Sequence, residues 1–210
     1  MIIAIDGLGV NGKSTLAKML SEKLNYKNFN TGAIYRCIAF KIINENLNVN
    51  DISNTLYKIK NIDINFENDK VFLDGKDVTK QIRTEQISVY STKWATIPEI
   101  KSCVRGIQKD YLKKYDTVIE GRDIATRIAP DAEFKFYLYS DFETRVQRLW
   151  MQNKSENIET IRNNLKIRDD LDINGGNFIK PSNAIEINTT NYTIDEVFEI
   201  MMKIILNTNK

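Results

Sequence analysis

The chain contains no histidine. That one absence removes histidine triads, histidine metal sites and imidazole acid–base chemistry. Cysteine is nearly as scarce. Cys37 and Cys103 stand far apart in no metal-ligand spacing, which excludes a disulfide framework and a Cys-rich zinc site. No apolar run reaches the roughly 20 residues of a membrane-spanning helix. The opening Met1-Ile2-Ile3-Ala4-Ile5-Asp6 lacks the basic flank and long apolar stretch of a signal peptide. The expectation is a soluble, cytoplasmic protein with no membrane partner. Net charge is only +2 over 210 residues, and no nucleic-acid partner is expected from so even a balance. What is present is globular: 42% hydrophobic and 28% charged residues, enough for one domain with a real core.

Hydrophobic patterning predicts a chain of alternating strands and helices. Ile2 to Ile5 reads as a central parallel strand, and Ser14 onward as an amphipathic helix with Leu16, Met19, Leu20 and Leu24 on one face. Asn28-Phe29-Asn30 reads as a turn, after which Thr31-Gly32 opens a second helix to about Asn44. Residues 51–92 change character. Ile62 to Phe66 and Val71 to Leu73 alternate, and Asp74-Gly75 is a turn signal. Pro98 begins a long helix to about 114. Strands follow at Thr117–Glu120, Phe134–Tyr139 and Ala184–Asn188, with helices at about 142–152, 157–171 and 194–206. The alternation predicts an α/β fold with a mostly parallel sheet.

The strongest motif is Gly7-Leu8-Gly9-Val10-Asn11-Gly12-Lys13-Ser14, followed by Thr15. Its spacing, between a strand and a helix, is that of a phosphate-binding loop. Glycines let backbone N–H groups approach phosphate oxygens, and the helix N-terminus adds its dipole. Lys13 is placed to reach the β- and γ-phosphates of ATP, and the Ser14 hydroxyl to ligate Mg²⁺. Phosphoryl transfer needs no histidine, because positioning and charge stabilisation carry most of it.

Arginines supply the second signal. Arg36 follows a helix start, and Arg122 lies at the carboxyl end of a core strand, where open α/β sheets bind ligands. The guanidinium fork matches phosphate oxygens in pairs. Next to Arg122, Asp123 could accept hydrogen bonds from a bound ligand, or cap the following turn. Arg168 and Asp172 lie four apart on one helix face, either as an intrahelical ion pair or as ligands to phosphate and ribose.

Several segments together are specific. They are Ile5-Asp6-Gly7 with the loop, Thr31-Gly32-Ala33-Ile34-Tyr35-Arg36, and Val71-Phe72-Leu73-Asp74-Gly75-Lys76-Asp77-Val78-Thr79 with Ile82-Arg83-Thr84-Glu85. Glu120-Gly121-Arg122-Asp123-Ile124, Pro130-Asp131-Ala132 and Arg168-Asp169-Asp170-Leu171-Asp172 complete the set. The chain resembles the bacterial cytidylate kinases over nearly its whole length. The resemblance implies a three-layer P-loop nucleoside monophosphate kinase fold within a single domain, 1–210. It makes 51–92 a small β-rich NMP-binding insertion and 150–180 a helical lid. It implies ATP as donor with Mg²⁺, and CMP or dCMP as acceptor. Thr31, Arg36, Thr92, Lys101, Arg122, Asp123, Arg168 and Asp172 would contact CMP, with Lys13, Arg122 and Arg168 catalytic. Both the insertion and the lid are expected to close and exclude water. Nothing in the sequence marks an interface, and a monomer is expected.

The chain departs from the family pattern at Val10, where glycine is usual, and at Lys101, where a base-reading arginine is usual. Leu171 and Gly175 replace two lid arginines. Arg145 and Arg148 either compensate or form a solvated helix face. Other readings are a weakly active kinase, a kinase for UMP or a non-nucleotide acceptor such as shikimate, and a GTPase-like switch. The last would read guanine through Asn-Lys-x-Asp, of which only Asn153-Lys154-Ser155-Glu156 is present.

Overall fold

The apolar run at the start forms β1 (Ile2–Asp6), buried from Ile3 onward. The structure is a computed structural model that describes residues 1–67, 70–152 and 154–208. Asn153, which opens Asn153-Lys154-Ser155-Glu156 and falls in the expected lid, lies outside the described residues, as do residues 68 and 69 of the expected insertion. The chain divides into two units: Met1–Asn30 with Tyr111–Lys210, and Thr31–Asp110.

In the first unit, β1 leads through the glycine-rich loop into α1 (Lys13–Leu24). Asn25 ends that helix in the left-handed conformation, and β2 (Lys27–Asn30) follows two residues later. The remaining elements are β6 (Thr117–Gly121), β7 (Phe134–Tyr139), α6 (Phe142–Gln152), α7 (Ile158–Asn174), β8 (Ile185–Asn188) and α8 (Ile194–Thr208). The strands form one sheet in the order β2-β6-β1-β7-β8, every pair parallel. Ile3, Ile5, Phe136 and Leu138 pack against Leu16 and Leu20 of α1 and Met201 and Ile205 of α8. A second cluster joins Val146 of α6 to Ile161 and Leu165 of α7.

Asn28-Phe29-Asn30, expected as a turn, is instead part of an edge strand. Its asparagines carry no strand signal. The pairing Phe29↔Ile119 and a Phe29–Tyr111 ring stack at 4.2 Å fix it from outside. β6 ends in Gly121-Arg122-Asp123 and then a single π-helical turn, Ile124–Ile128, which the hydrophobic pattern did not announce.

In the second unit, α2 (Thr31–Asn44) precedes α3 (Ile52–Lys60), whose N-terminus is capped by the Asp51 side chain accepting from Asn54 N–H. A small antiparallel sheet follows: β3 (Ile64–Glu67), β4 (Lys70–Leu73) and β5 (Lys76–Asp77). The Asp74-Gly75 turn has φ of 49° and 76°, the paired left-handed geometry that suits a tight hairpin. Then come α4 (Glu85–Trp94), capped by Thr84, and α5 (Pro98–Leu112), with proline at its first position. Residues 51–92 thus hold two helices beside the hairpin sheet.

Candidate active site

The site is built at the carboxyl ends of β6, β1 and β7. Gly7 is required there. A Cβ at this position would stand 2.2 Å from the Leu138 carbonyl oxygen, so only glycine lets the loop leave β1 beside β7. Gly12 ends the loop at φ 80° and gives α1 no side-chain cap, leaving the first-turn N–H groups to an anion. Asn11 braces the loop from inside. Its Nδ2 donates to the Leu8 carbonyl at 3.3 Å, and its Oδ1 accepts from Ser140 Oγ at 2.6 Å.

Val10 adopts φ 64°, a conformation that costs a β-branched residue on the order of 1–3 kcal/mol. The same side chain packs on the Val146–Ile161–Leu165 cluster, and this packing offsets part of the strain. The unusual valine therefore ties the phosphate loop to α6 and α7.

Lys13 is buried, and its Nζ donates to the Leu8 carbonyl at 2.8 Å. Burial first, and the Arg122 charge second, lower its pKa to about 7. Ser14 Oγ donates to Glu120 Oε1 at 2.8 Å and accepts from Asn30 Nδ2 at 3.3 Å. Glu120 belongs to the Glu120-Gly121-Arg122-Asp123 run, but the sequence reading gave it no role. The parallel pairing of β1 with β6 brings it to the loop.

Three arginines surround Gly9. Arg122 Nη2 and Arg168 Nη2 lie 3.6 and 3.5 Å from where a Gly9 Cβ would stand, and Arg145 Nη1 donates to the Gly9 carbonyl at 3.3 Å. Arg122 Nε pairs with Asp172 at 2.7 Å. Burial opposes the Arg122 charge, but Asp172 outweighs it, so its pKa is pushed up and it stays a cation. The buried Arg145 pairs with Asp169 at 2.7 Å, so it is no solvated face. Arg148 instead holds the loop after β8, donating to the hydroxyl and carbonyl of Thr189.

The segment after Arg122 is held by a buried carboxylate. The two oxygens of Asp6 accept from the N–H groups of Ile124 and Ala125 at 2.8 and 2.7 Å. Burial raises the Asp6 pKa to about 6 even against those bonds. Asp123 pairs with Arg127 at 3.2 Å. Asp6 was not legible as a site residue, because the backbone groups it holds lie far along the chain. Arg127 stands four residues after Asp123, but its second partner, the Gly176 carbonyl, does not lie near it in sequence.

The first unit thus brings together Lys13, Ser14, Arg122, Asp123, Arg168, Asp172 and the loop. The other expected contacts, Thr31, Arg36, Thr92 and Lys101, belong to the second unit. There Thr31 is buried at the start of α2, Arg36 is half-buried one turn on, and Thr92 Oγ1 donates to the Ser88 carbonyl within α4. Lys101 is half-buried on α5. Magnesium fits the oxygen donors at Ser14 and Glu120. Among the described residues no cluster of three or more acidic, Cys or His side chains could cage a metal. Among the described residues no helix is long and apolar enough to cross a membrane.

A parallel sheet with this loop after its middle strand, ringed by arginines, defines a P-loop kinase. Solved P-loop kinases share the fold. A shikimate kinase from Bacteroides thetaiotaomicron superposes with TM-score 0.53 at 10% identity, covering 98% of each chain. A thymidylate kinase from Candida albicans gives 0.50 at 15%, covering 99% of this chain and 92% of the other. The cytidylate kinase family model matches residues 3–207. The cytidylate kinase of Clostridium tetani is 36% identical over 214 residues, covering 99% of this chain and 95% of that protein. That of Caldicellulosiruptor saccharolyticus is 35% identical over 212 residues, covering 96% and 94%. The chain belongs to the cytidylate kinase family.

Proposed function

We propose that the residues around Gly9 carry phosphoryl transfer from ATP to CMP or dCMP, giving ADP and CDP or dCDP. Membership of the family supports the activity. The observation that carries the site is the convergence of Arg122, Arg145 and Arg168 on Gly9, within the loop that ends at Lys13. The loop N–H groups and Lys13 hold the donor phosphates. Arg122 and Arg168 spread charge over the transferring group and the acceptor phosphate. Ser14 and Glu120 would hold Mg²⁺, which supplies charge neutralisation at the phosphates when bound. No general base is needed, because the acceptor oxygen of CMP is already anionic. Asp123 accepts from the cytosine amine, where uracil presents a carbonyl oxygen that a carboxylate repels. In the second unit, Thr31, Arg36, Thr92 and Lys101 are the further acceptor contacts that the family resemblance supports. The protein is proposed to act as a monomer in the cytoplasm.

The test is coupled ADP release with CMP, dCMP, UMP and AMP in turn. CMP or dCMP should give the highest kcat/KM. Turnover of UMP or AMP with none of CMP would end the substrate assignment. Asp123→Ala should damage CMP selection far more than the KM for ATP, lowering the CMP preference by about tenfold or more, as expected for one paired base contact.

A further inference from the structure

We propose that Arg127 is a specificity-determining residue that reads the nucleobase together with Asp123. The inference rests on the CMP kinase reading above and adds a contact to it.

The π-helical turn after β6 brings the two side chains together. Arg127 N–H donates to the Asp123 carbonyl at 2.9 Å, and Arg127 Nη1 donates to Asp123 Oδ2 at 3.2 Å. The same Nη1 donates to the Gly176 carbonyl at 2.7 Å, which fixes the guanidinium between the turn and the end of α7. A simple surface ion pair would not be held from a second element in this way. The Arg127 side chain is 33% exposed, and its Nε and Nη2 have no partner among the described residues. A carboxylate offers about four acceptor positions, and the bond to Arg127 uses one of them.

A carboxylate beside a guanidinium is a poor phosphate site, because the acid repels the anion. It is a good site for a neutral edge with a donor next to an acceptor. Cytosine presents such an edge, with an amine at C4 and a lone pair at N3. The amine would donate to Asp123 and N3 would accept from Arg127. Uracil reverses both groups and meets a mismatch at each. Adenine shares the amine and ring-nitrogen pattern of cytosine, so the couple should separate CMP from UMP but contribute little to separating CMP from AMP.

The experiment measures kcat/KM for CMP, UMP and AMP with the wild-type enzyme, Arg127→Leu and Arg127→Lys. The lysine variant keeps a cation beside Asp123 and Gly176 but loses the planar fork. The CMP-to-UMP ratio should fall by about tenfold or more in both, as expected for one paired base contact. The CMP-to-AMP ratio and the KM for ATP should hold. If Arg127→Leu does not fold, as judged by circular dichroism, Arg127→Lys carries the test alone. A CMP-to-UMP ratio within about twofold of wild type, in a folded variant, overturns the role of Arg127 and leaves the CMP kinase reading intact. A wild-type enzyme with no preference for CMP defeats that reading itself.

Discussion

The hydroxyl of Ser14 donates to the carboxylate of Glu120 at 2.8 Å, across the pairing of β1 with β6. Ser14 alone is a weak magnesium ligand, and a carboxylate beside it changes the local charge. Glu120→Gln keeps the hydrogen-bonding shape and removes the charge. The Mg²⁺ concentration for half-maximal activity should rise by about 10–100-fold, the usual effect of losing a group that supports a metal. A magnesium titration of initial rates decides it, and an unchanged curve would detach Glu120 from the metal.

Lys13 links the site to pH. Its folded pKa is lowered from 10.5 to about 7 by burial and then by Arg122. Between those values the unfolded chain holds a proton that the folded chain has released. Stability from this group therefore rises with pH across that window, and its penalty is full below about 7. Bound phosphates favour the charged form, so ATP binding should take up a proton at and above neutral pH. Calorimetry in buffers of different ionisation enthalpy should detect that uptake in the wild type and not in Lys13→Met. The same variant should lose turnover by about 10²–10³-fold or more.

Val10 makes an inverted prediction about small residues. Alanine normally outranks glycine in stability. At φ 64° any Cβ is strained, by roughly 1–2 kcal/mol. Val10→Ala keeps the strain and loses the packing on Val146, Ile161 and Leu165, whereas Val10→Gly loses the packing and the strain together. Urea unfolding should find Val10→Gly more stable than Val10→Ala by about 1 kcal/mol. The opposite order would mean that the loop relaxes out of the left-handed region.

Asp6 tests how the segment after Arg122 is held. Its folded pKa is raised from 3.8 to about 6, with burial the largest cause. The folded chain keeps the proton longer, so the contribution of this group is fullest below 3.8 and is lost as pH rises through about 6. Asp6→Asn offers one acceptor to the N–H groups of Ile124 and Ala125 and leaves the other unpaired. It should lower stability at pH 7 by about 1–3 kcal/mol and flatten the change in stability between pH 4 and 6. Unfolding curves of both proteins at several pH values make the comparison.

Much of this was legible along the chain. The loop and the apolar runs of β1, β6 and β7 are local patterns, and local patterns are what periodicity reads. The same is true of the Asp74-Gly75 hairpin and the helix starts at Pro98 and Thr31. The strand at Asn28-Phe29-Asn30 was not legible, since its only apolar residue finds its partners at Ile119 and Tyr111. Spacing left Arg145 open between a compensating charge and a solvated helix face, because its partner, Asp169, lies on another helix.

The sequence by itself determined the phosphate loop, the parallel α/β architecture and the family, because each rests on residue types at short, fixed spacing. Only the tertiary structure decided which charges face one another. Glu120 reaches Ser14 through strand pairing, Asp172 meets Arg122 across fifty positions, and Arg127 meets the Gly176 carbonyl across forty-nine. Ion pairs and buried carboxylates are set by distance in space, and spacing along the chain fixes that distance only within a single turn of helix or a strand.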